Sequence, residues 1–188
     1  MTDIIKAVRD FTQAVGCTTD QYNVRQTALY IGLQLEEMKE KLESLGFNNV
    51  RHSGGFYTDL MCALHKASLE FKEGAMDIAV EEADRAAMLD ADVDLAWVTI
   101  GSMFSQGADV EGACGEVARA NMSKLVECDV CEGSFSLAIS QGESHTSKFD
   151  PCQKCNGLGL VAIKDENGKV KKPASFVPPN IEPFVRKG

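Results

Sequence analysis

Two cysteine pairs, Cys128-x-x-Cys131 and Cys152-x-x-Cys155, stand twenty residues apart in this chain of 188. No other feature of the sequence limits its fold as tightly. Each pair turns so that both sulfurs point one way, and the loop between can bring the second pair opposite the first. That pattern is the usual signature of a four-thiolate zinc site. Four unrelated thiols and CxxC redox chemistry are the alternatives, but redox chemistry normally uses one pair. Gly157 and Gly159 allow the tight turn that such a knuckle needs. His145 is a further candidate ligand. Four protein ligands leave no open coordination position, so the implied metal is structural. Cys17, Cys62 and Cys114 lie in or beside helical patterns and read as small core residues.

The segment around the pairs, from residue 126, is rich in Gly, Ser and Cys, with the short β-like runs "SFSLAI" and "GLVAIK". The tail "PASFVPPNIEPF" is proline-rich and should be extended, laid over a surface. Everything before Leu125 reads as helix. Ile4, Ile5, Val8, Phe11 and Val15 share one side of a first helix. Thr19 or Asp20 is a plausible N-cap for a second, running to about Leu45. "GFNNVRHSGG" is a loop by composition. Residues 56–72 form a third helix, and residues 73–107 one long helical pattern with room for an interruption. Asp109 opens a further short helix. The fold class is therefore an all-α helical bundle with a small zinc-ribbon or knuckle insertion. The divisions are a helical core over 1–125, the insertion over 126–163, and an extended basic, proline-rich segment over 164–188 that completes the core.

A net charge of −9 argues against general binding to nucleic acid or to a membrane surface, which rests on basic patches. No apolar run approaches the length of a membrane span. The start "MTDIIKAVRDF" is a charged amphipathic segment rather than a signal peptide, so a cytoplasmic, reducing environment is expected for the thiols.

"LQLEEMKEKLE", residues 33–43, sets several carboxylates beside an apolar seam. On a helix Glu36 and Glu40 lie about 40° apart and Glu37 and Glu40 about 60°, so one face presents all three. "LDADVDLAWV" repeats the arrangement with Asp90 and Asp94 four apart. Asp92 points away from that pair and should be solvated, whereas Asp90 and Asp94 sit in an apolar segment that resists full exposure. Carboxylates gathered on two helices suit hard cations such as Mg²⁺ or Mn²⁺. Solvated faces of an acidic protein are the plain alternative. Trp97 and Phe104 are expected in the core.

Taken in order, "VRQTALYIGLQLEEMKE", "LDADVDLAWVTIGSMFSQGADV", "EVARANMSKL" and "ENGKVKKPASFVPPNI" resemble the all-α nucleotide pyrophosphohydrolases. These are the MazG and phosphoribosyl-ATP pyrophosphohydrolase-like group, particularly bacteriophage copies. The resemblance covers about residues 5–125 and 165–182. It implies catalytic carboxylates at Glu36 and Glu37, and Mg²⁺ or Mn²⁺ held by Glu36, Glu37, Glu40, Asp90 and Asp94. The family's second motif is Glu-x-x-Asp. Here Ala91 stands at the Glu position, and Asp90 offers a carboxylate one residue earlier. The family's later Asn and Lys match Asn121 and Lys124, and its basic tail matches Lys169 and Lys172. These form the implied substrate-binding set, to which Arg25 is one further candidate, with a surface arginine at a helix start as the plain alternative. Cys128, Cys131, Cys152 and Cys155 then belong to an inserted Zn²⁺ module. The implied activity is hydrolysis of a (deoxy)nucleoside triphosphate to the monophosphate and pyrophosphate by a dimer or tetramer. Two other readings compete: a catalytically inactive zinc-module interaction protein on the same helices, and a zinc-ribbon nucleic-acid adaptor, against which the negative charge weighs.

Overall fold

The computed structural model describes residues 4–46, 55–134, 136–138, 149–165 and 170–185. Among them are six α-helices and four short strands. The helices are α1 (Ile4–Ala14), α2 (Val24–Ser44), α3 (Gly55–Glu73), α4 (Asp77–Glu81), α5 (Arg85–Ser105) and α6 (Val110–Met122). The strands are β1 (Leu125–Glu127), β2 (Ser136–Ala138), β3 (Phe149–Pro151) and β4 (Leu160–Ala162). The protein is thus mostly helical. The chain divides into two units: residues 20–91, and residues 1–19 with 92–188. The division falls inside α5.

The first of these units is organised by α2 packed on α3. Asn23, not Thr19 or Asp20, caps α2, because its side chain accepts from the Gln26 N–H at 2.9 Å. Tyr22 just before it donates to the Val80 carbonyl at 2.7 Å and so pins the start of α2 to α4. The crossing of α2 and α3 is built from small residues. Ala28 is fully buried, Ser68 is almost so, and Ser68 donates to the Gly32 carbonyl at 2.7 Å. A Cβ on Gly32 would stand 2.8 Å from the Ser68 carbonyl oxygen and 2.7 Å from Lys72 Cγ. The two backbones approach this closely only because residue 32 lacks a side chain.

The long helical pattern after residue 73 is interrupted. It splits into α4 and α5 at Asp84, whose carboxylate accepts from the N–H groups of Ala86 and Ala87 and starts a new helix. Trp97 and Phe104 do not enter a core: they are 78% and 63% exposed, and no residue of α5 is buried. Asp90 and Asp94 are exposed along with Asp92. The helix carries apolar residues on more than one side, so its sequence does not say which side is covered.

In the other unit α1 and α6 pack together, and Ala14, Val15 and Leu125 form a small core with Phe11, Cys17, Met122, Leu158, Leu160 and Val170. Cys17 is therefore the small core residue its pattern implied, whereas Cys62 is exposed. β1 pairs antiparallel with β4, and β2 with β3. The tail is extended as its prolines require, apart from a 3₁₀ turn over Glu182–Phe184. It is strapped to α6. The Asp109 N–H donates to the Phe184 carbonyl at 2.8 Å, and the Phe184 ring occupies the space that a side chain at Gly112 would need. Glu116 accepts two hydrogen bonds from Arg119 and one from the Asn180 N–H, and Arg119 also donates to the Pro178 carbonyl. The Arg119 guanidinium first, and the Asn180 N–H second, hold the Glu116 carboxyl down to about 2.

Two outcomes follow from this packing. Gly32→Leu must push α2 off α3 and should cost about 1–3 kcal/mol, read as a lowered denaturant midpoint; an unchanged midpoint would show that the close approach is unimportant. Glu116 has a depressed native pKa, so its contribution to tail docking is fully present above its ordinary value of 4.5 and is lost as pH falls through about 2. The Asn180 amide resonance should follow that titration, and Glu116→Gln should largely abolish the pH dependence.

Candidate functional site

The cysteine centre is assembled by the four strands. β1 ends directly before Cys128, and β3 ends at Pro151 directly before Cys152. Cys131 leads out toward β2, and Cys155 out toward β4. Pairing β1 with β4 and β2 with β3 sets the two CxxC turns face to face. All four sulfurs lie within 4.8 Å of one another, with Cys128 Sγ 3.8 Å from Cys152 Sγ and Cys131 Sγ 3.7 Å from Cys155 Sγ. A zinc ion with tetrahedral bonds of about 2.3 Å places its sulfurs about 3.8 Å apart. A disulfide needs about 2.05 Å. The separations therefore fit four thiolates around one ion and exclude two bridges.

The turns are built alike. Glu132 and Asn156, each following the second cysteine of its pair, adopt left-handed φ of 48° and 50°, and Gly133 and Gly157 after them have φ of 73° and 74°. Two successive left-handed residues reverse the chain around the sulfurs, and the second is glycine because it alone takes this conformation without strain. The Gly159 N–H donates to Cys155 Sγ at 3.2 Å, and the Cys128 N–H donates to the Gly159 carbonyl at 2.9 Å. Asp129 of the first turn pairs with Lys154 of the second. The Asp129 bond, together with the neighbouring Cys128 and Cys152, raises Lys154 above the ordinary lysine value. Gly157 was named from the sequence as a turn glycine; its counterpart Gly133 was not, although the repeated C-x-x-C-x-G carries it. The Asp129–Lys154 tie had no comparable signal. His145 lies outside the described residues.

A second gathering lies beside β1. Asn121, at the end of α6, accepts from Lys124 Nζ at 2.7 Å. Lys124 Nζ stands 5.9 Å from the centroids of both Phe11 and Phe176, and Lys172 Nζ 4.9 Å from that of Phe176. Both ammonium groups are within cation–π range of one ring. Of the set that the resemblance implies, Lys124 lies beside Asn121 and shares the Phe176 ring with Lys172. Phe176 and Phe11 were not foreseen as their common platform. Lys169 lies outside the described residues.

The acidic residues are placed differently. Glu36, Glu37 and Glu40 occupy adjacent turns of α2, with Glu37 and Glu40 exposed. Glu36 pairs with Lys72 at 3.2 Å, the lysine whose stem lies over Gly32. Arg25 donates to the Phe71 carbonyl at 2.8 Å and meets Asp77 at 3.4 Å, which ties α2 to the end of α3 and the start of α4. Among the described residues, the four cysteines are the one set of three or more His, Cys, Asp or Glu side chains that comes together to hold an ion. No described helix is long and apolar enough to cross a membrane.

No family model matches the chain, and neither the curated proteins nor the solved structures contain a match to it. The functional reading rests on the residues and their geometry.

If the four thiolates hold one Zn²⁺, protein purified without chelators should contain one zinc per chain by elemental analysis. Cys152→Ser should lower that content and open residues 126–163 to protease. Elemental analysis finding no zinc in protein purified without chelators, with all four thiols freely titratable, would refute the site.

Proposed function

We propose that the chain is a metal-dependent nucleotide pyrophosphohydrolase, converting a (deoxy)nucleoside triphosphate to the monophosphate and pyrophosphate. The observation that carries this reading is the meeting of Asn121, Lys124 and Lys172 around Phe176. Two ammonium groups and an amide held together at the end of a helix suit the charge of a polyphosphate. Lys169 belongs with them in this reading, and Arg25 is a further substrate contact. The carboxylates of Glu36, Glu37, Glu40, Asp90 and Asp94 are hard oxygen donors of the kind Mg²⁺ or Mn²⁺ prefers. Such an ion, when bound, neutralises phosphate charge and polarises the α-phosphorus.

The chain's own residues then divide the work. Glu36 or Glu37 orients a water and accepts its proton, and Glu36 must release Lys72 to do so. The water oxygen bonds to the α-phosphorus as the bond to the bridging oxygen breaks. Pyrophosphate leaves, its charge met by Lys124 and Lys172. The reading includes a dimer or tetramer in the cytoplasm, the host's if the chain is phage-encoded. In it, zinc is structural and acts by fixing β1 and β4, and with them the approach of Lys124 and the tail. The Glu36–Lys72 pair also favours a second reading, in which the helices keep their fold as a zinc-module interaction protein without catalysis.

A panel of deoxynucleoside triphosphates with Mg²⁺ or Mn²⁺ separates the two. The enzyme releases pyrophosphate from at least one. Glu37→Ala and Asp94→Ala should each lower turnover roughly 100-fold or more while leaving the helical circular dichroism intact. Lys172→Ala should act mainly on KM. Full turnover in either acidic variant would remove those carboxylates from the reaction.

A further inference from the structure

We propose that residues 178–185 form a strap whose register along α6 positions Phe176 and Lys172 against Lys124, with Gly112, Glu116 and Arg119 as the positioning residues on the helix. At 100° per residue these three lie within about 60° of one another, so they make one stripe of α6. The tail runs along that stripe antiparallel to the helix, contact by contact. Phe184 sits over Gly112, and its carbonyl accepts from the Asp109 N–H at 2.8 Å. The Asn180 N–H donates to Glu116 at 2.9 Å, and Arg119 donates to the Pro178 carbonyl at 3.3 Å. Phe176 then meets Lys124 just past the end of the helix, 5.9 Å from ring centroid to Nζ. The notch at Gly112 indexes the register. A Cβ there would stand 2.5 Å from the Phe184 ring, so the ring seats only where the helix lacks a side chain.

The stretch that carries the ring and the lysine is tethered at both ends. On one side the Lys171 N–H donates to the Ile163 carbonyl at 2.7 Å, and Val170 bridges to Lys164. On the other the strap begins at Pro178. Between the tethers the Phe176 N–H donates to the Pro173 carbonyl at 2.9 Å, so Lys172 and Phe176 travel as one turn, with Lys172 Nζ 4.9 Å from the ring centroid. Released from α6, that turn keeps its hold on Ile163 and loses the one that draws it toward Lys124. The cost of ordering the two ammonium groups around an anion then falls on the binding step. The strap is laid on the surface. Phe176 and Phe184 are half-buried, and residues 177–183 between them are exposed. Of the described tail residues, Val170 alone packs against the core of Ala14, Val15 and Leu125. The strap can therefore detach without taking that core apart.

This inference rests on the reading of Lys124 and Lys172 as a phosphate site, so its test has one readout with a ligand and one without. In the wild type, NMR should show proton contacts between the Phe176 ring and the Lys124 side chain, and calorimetry should show binding of inorganic pyrophosphate. Phe184→Ala empties the notch without altering α6. It should free the Asn180 amide, remove the Phe176–Lys124 contacts and weaken pyrophosphate about 10-fold, the worth of one hydrogen bond to a charged group, with zinc content and helical signal unchanged. Lys172→Ala should cost a similar factor in the wild type and little more on top of Phe184→Ala, because the strap has already withdrawn that lysine. Lys124→Ala should cost the same in both backgrounds. Arg119→Gln, an exposed change, should act in the same direction as Phe184→Ala and carries the test if Phe184→Ala folds poorly. Release of the Asn180 amide with the contacts and the pyrophosphate affinity intact overturns the proposal. So does an equal cost of Lys172→Ala in the two backgrounds. A wild type that shows the contacts and binds no pyrophosphate fails the phosphate reading instead, and the strap then stands or falls on whether Phe184→Ala breaks the contacts.

Discussion

Four thiol sulfurs drawn within 4.8 Å of one another cannot all carry charge unless a cation stands among them. At such separations like charges repel by several kcal/mol even at an intermediate dielectric. Around a zinc ion the same four charges would become an attraction, worth on the order of 10–16 kcal/mol in small modules. The strands beside the cysteines are short. Strands of three residues are too short to hold by their own pairing, and among the described residues the buried core of the module is the cysteines themselves with Val161 packed against them. Close the two turns, and β1 and β4 have their register. β1 continues from α6 through Asn121 and Lys124. β4 leads on toward the tail that carries Lys172 and Phe176.

The α2–α3 unit is held by a different constraint. Its helices approach so closely that Gly32, Ala28 and Ser68 occupy the crossing. The same closeness lays the stem of Lys72 over Gly32 and brings its ammonium to Glu36. A packing requirement thus sets the electrostatic environment of the most conspicuous acidic motif in the chain.

The two sets of candidate ligands differ in chemistry as well as in place. The thiolates are soft, buried and closed by four donors, which suits a structural ion. The carboxylates are hard, mostly exposed and spread over two helices. Exposure leaves room for hydrated ions and a charged ligand, and it also leaves Glu36 open to a lysine.

Much of this was legible in local pattern. The helical character up to Met122 followed from apolar spacing, the cap of α6 from Asp109, the extended tail from its prolines, and the thiolate centre from the spacing of four cysteines. These features depend on interactions within a few residues, or on a ligand chemistry that admits few alternatives. The resemblance pointed to Asn121, Lys124 and Lys172, but not to the ring that the two lysines share, since Phe176 reaches Lys124 only through the path that the strands and tail take. The docking of Tyr22 on α4, the close crossing at Gly32 and the exposure of Trp97 were decided by tertiary structure. Each depends on a partner far along the chain, or on the lack of one: Tyr22 reaches Val80, Gly32 admits Ser68, and among the described residues no side chain of α5 is buried. Periodicity says that a face is apolar, whereas only packing says what, if anything, covers it.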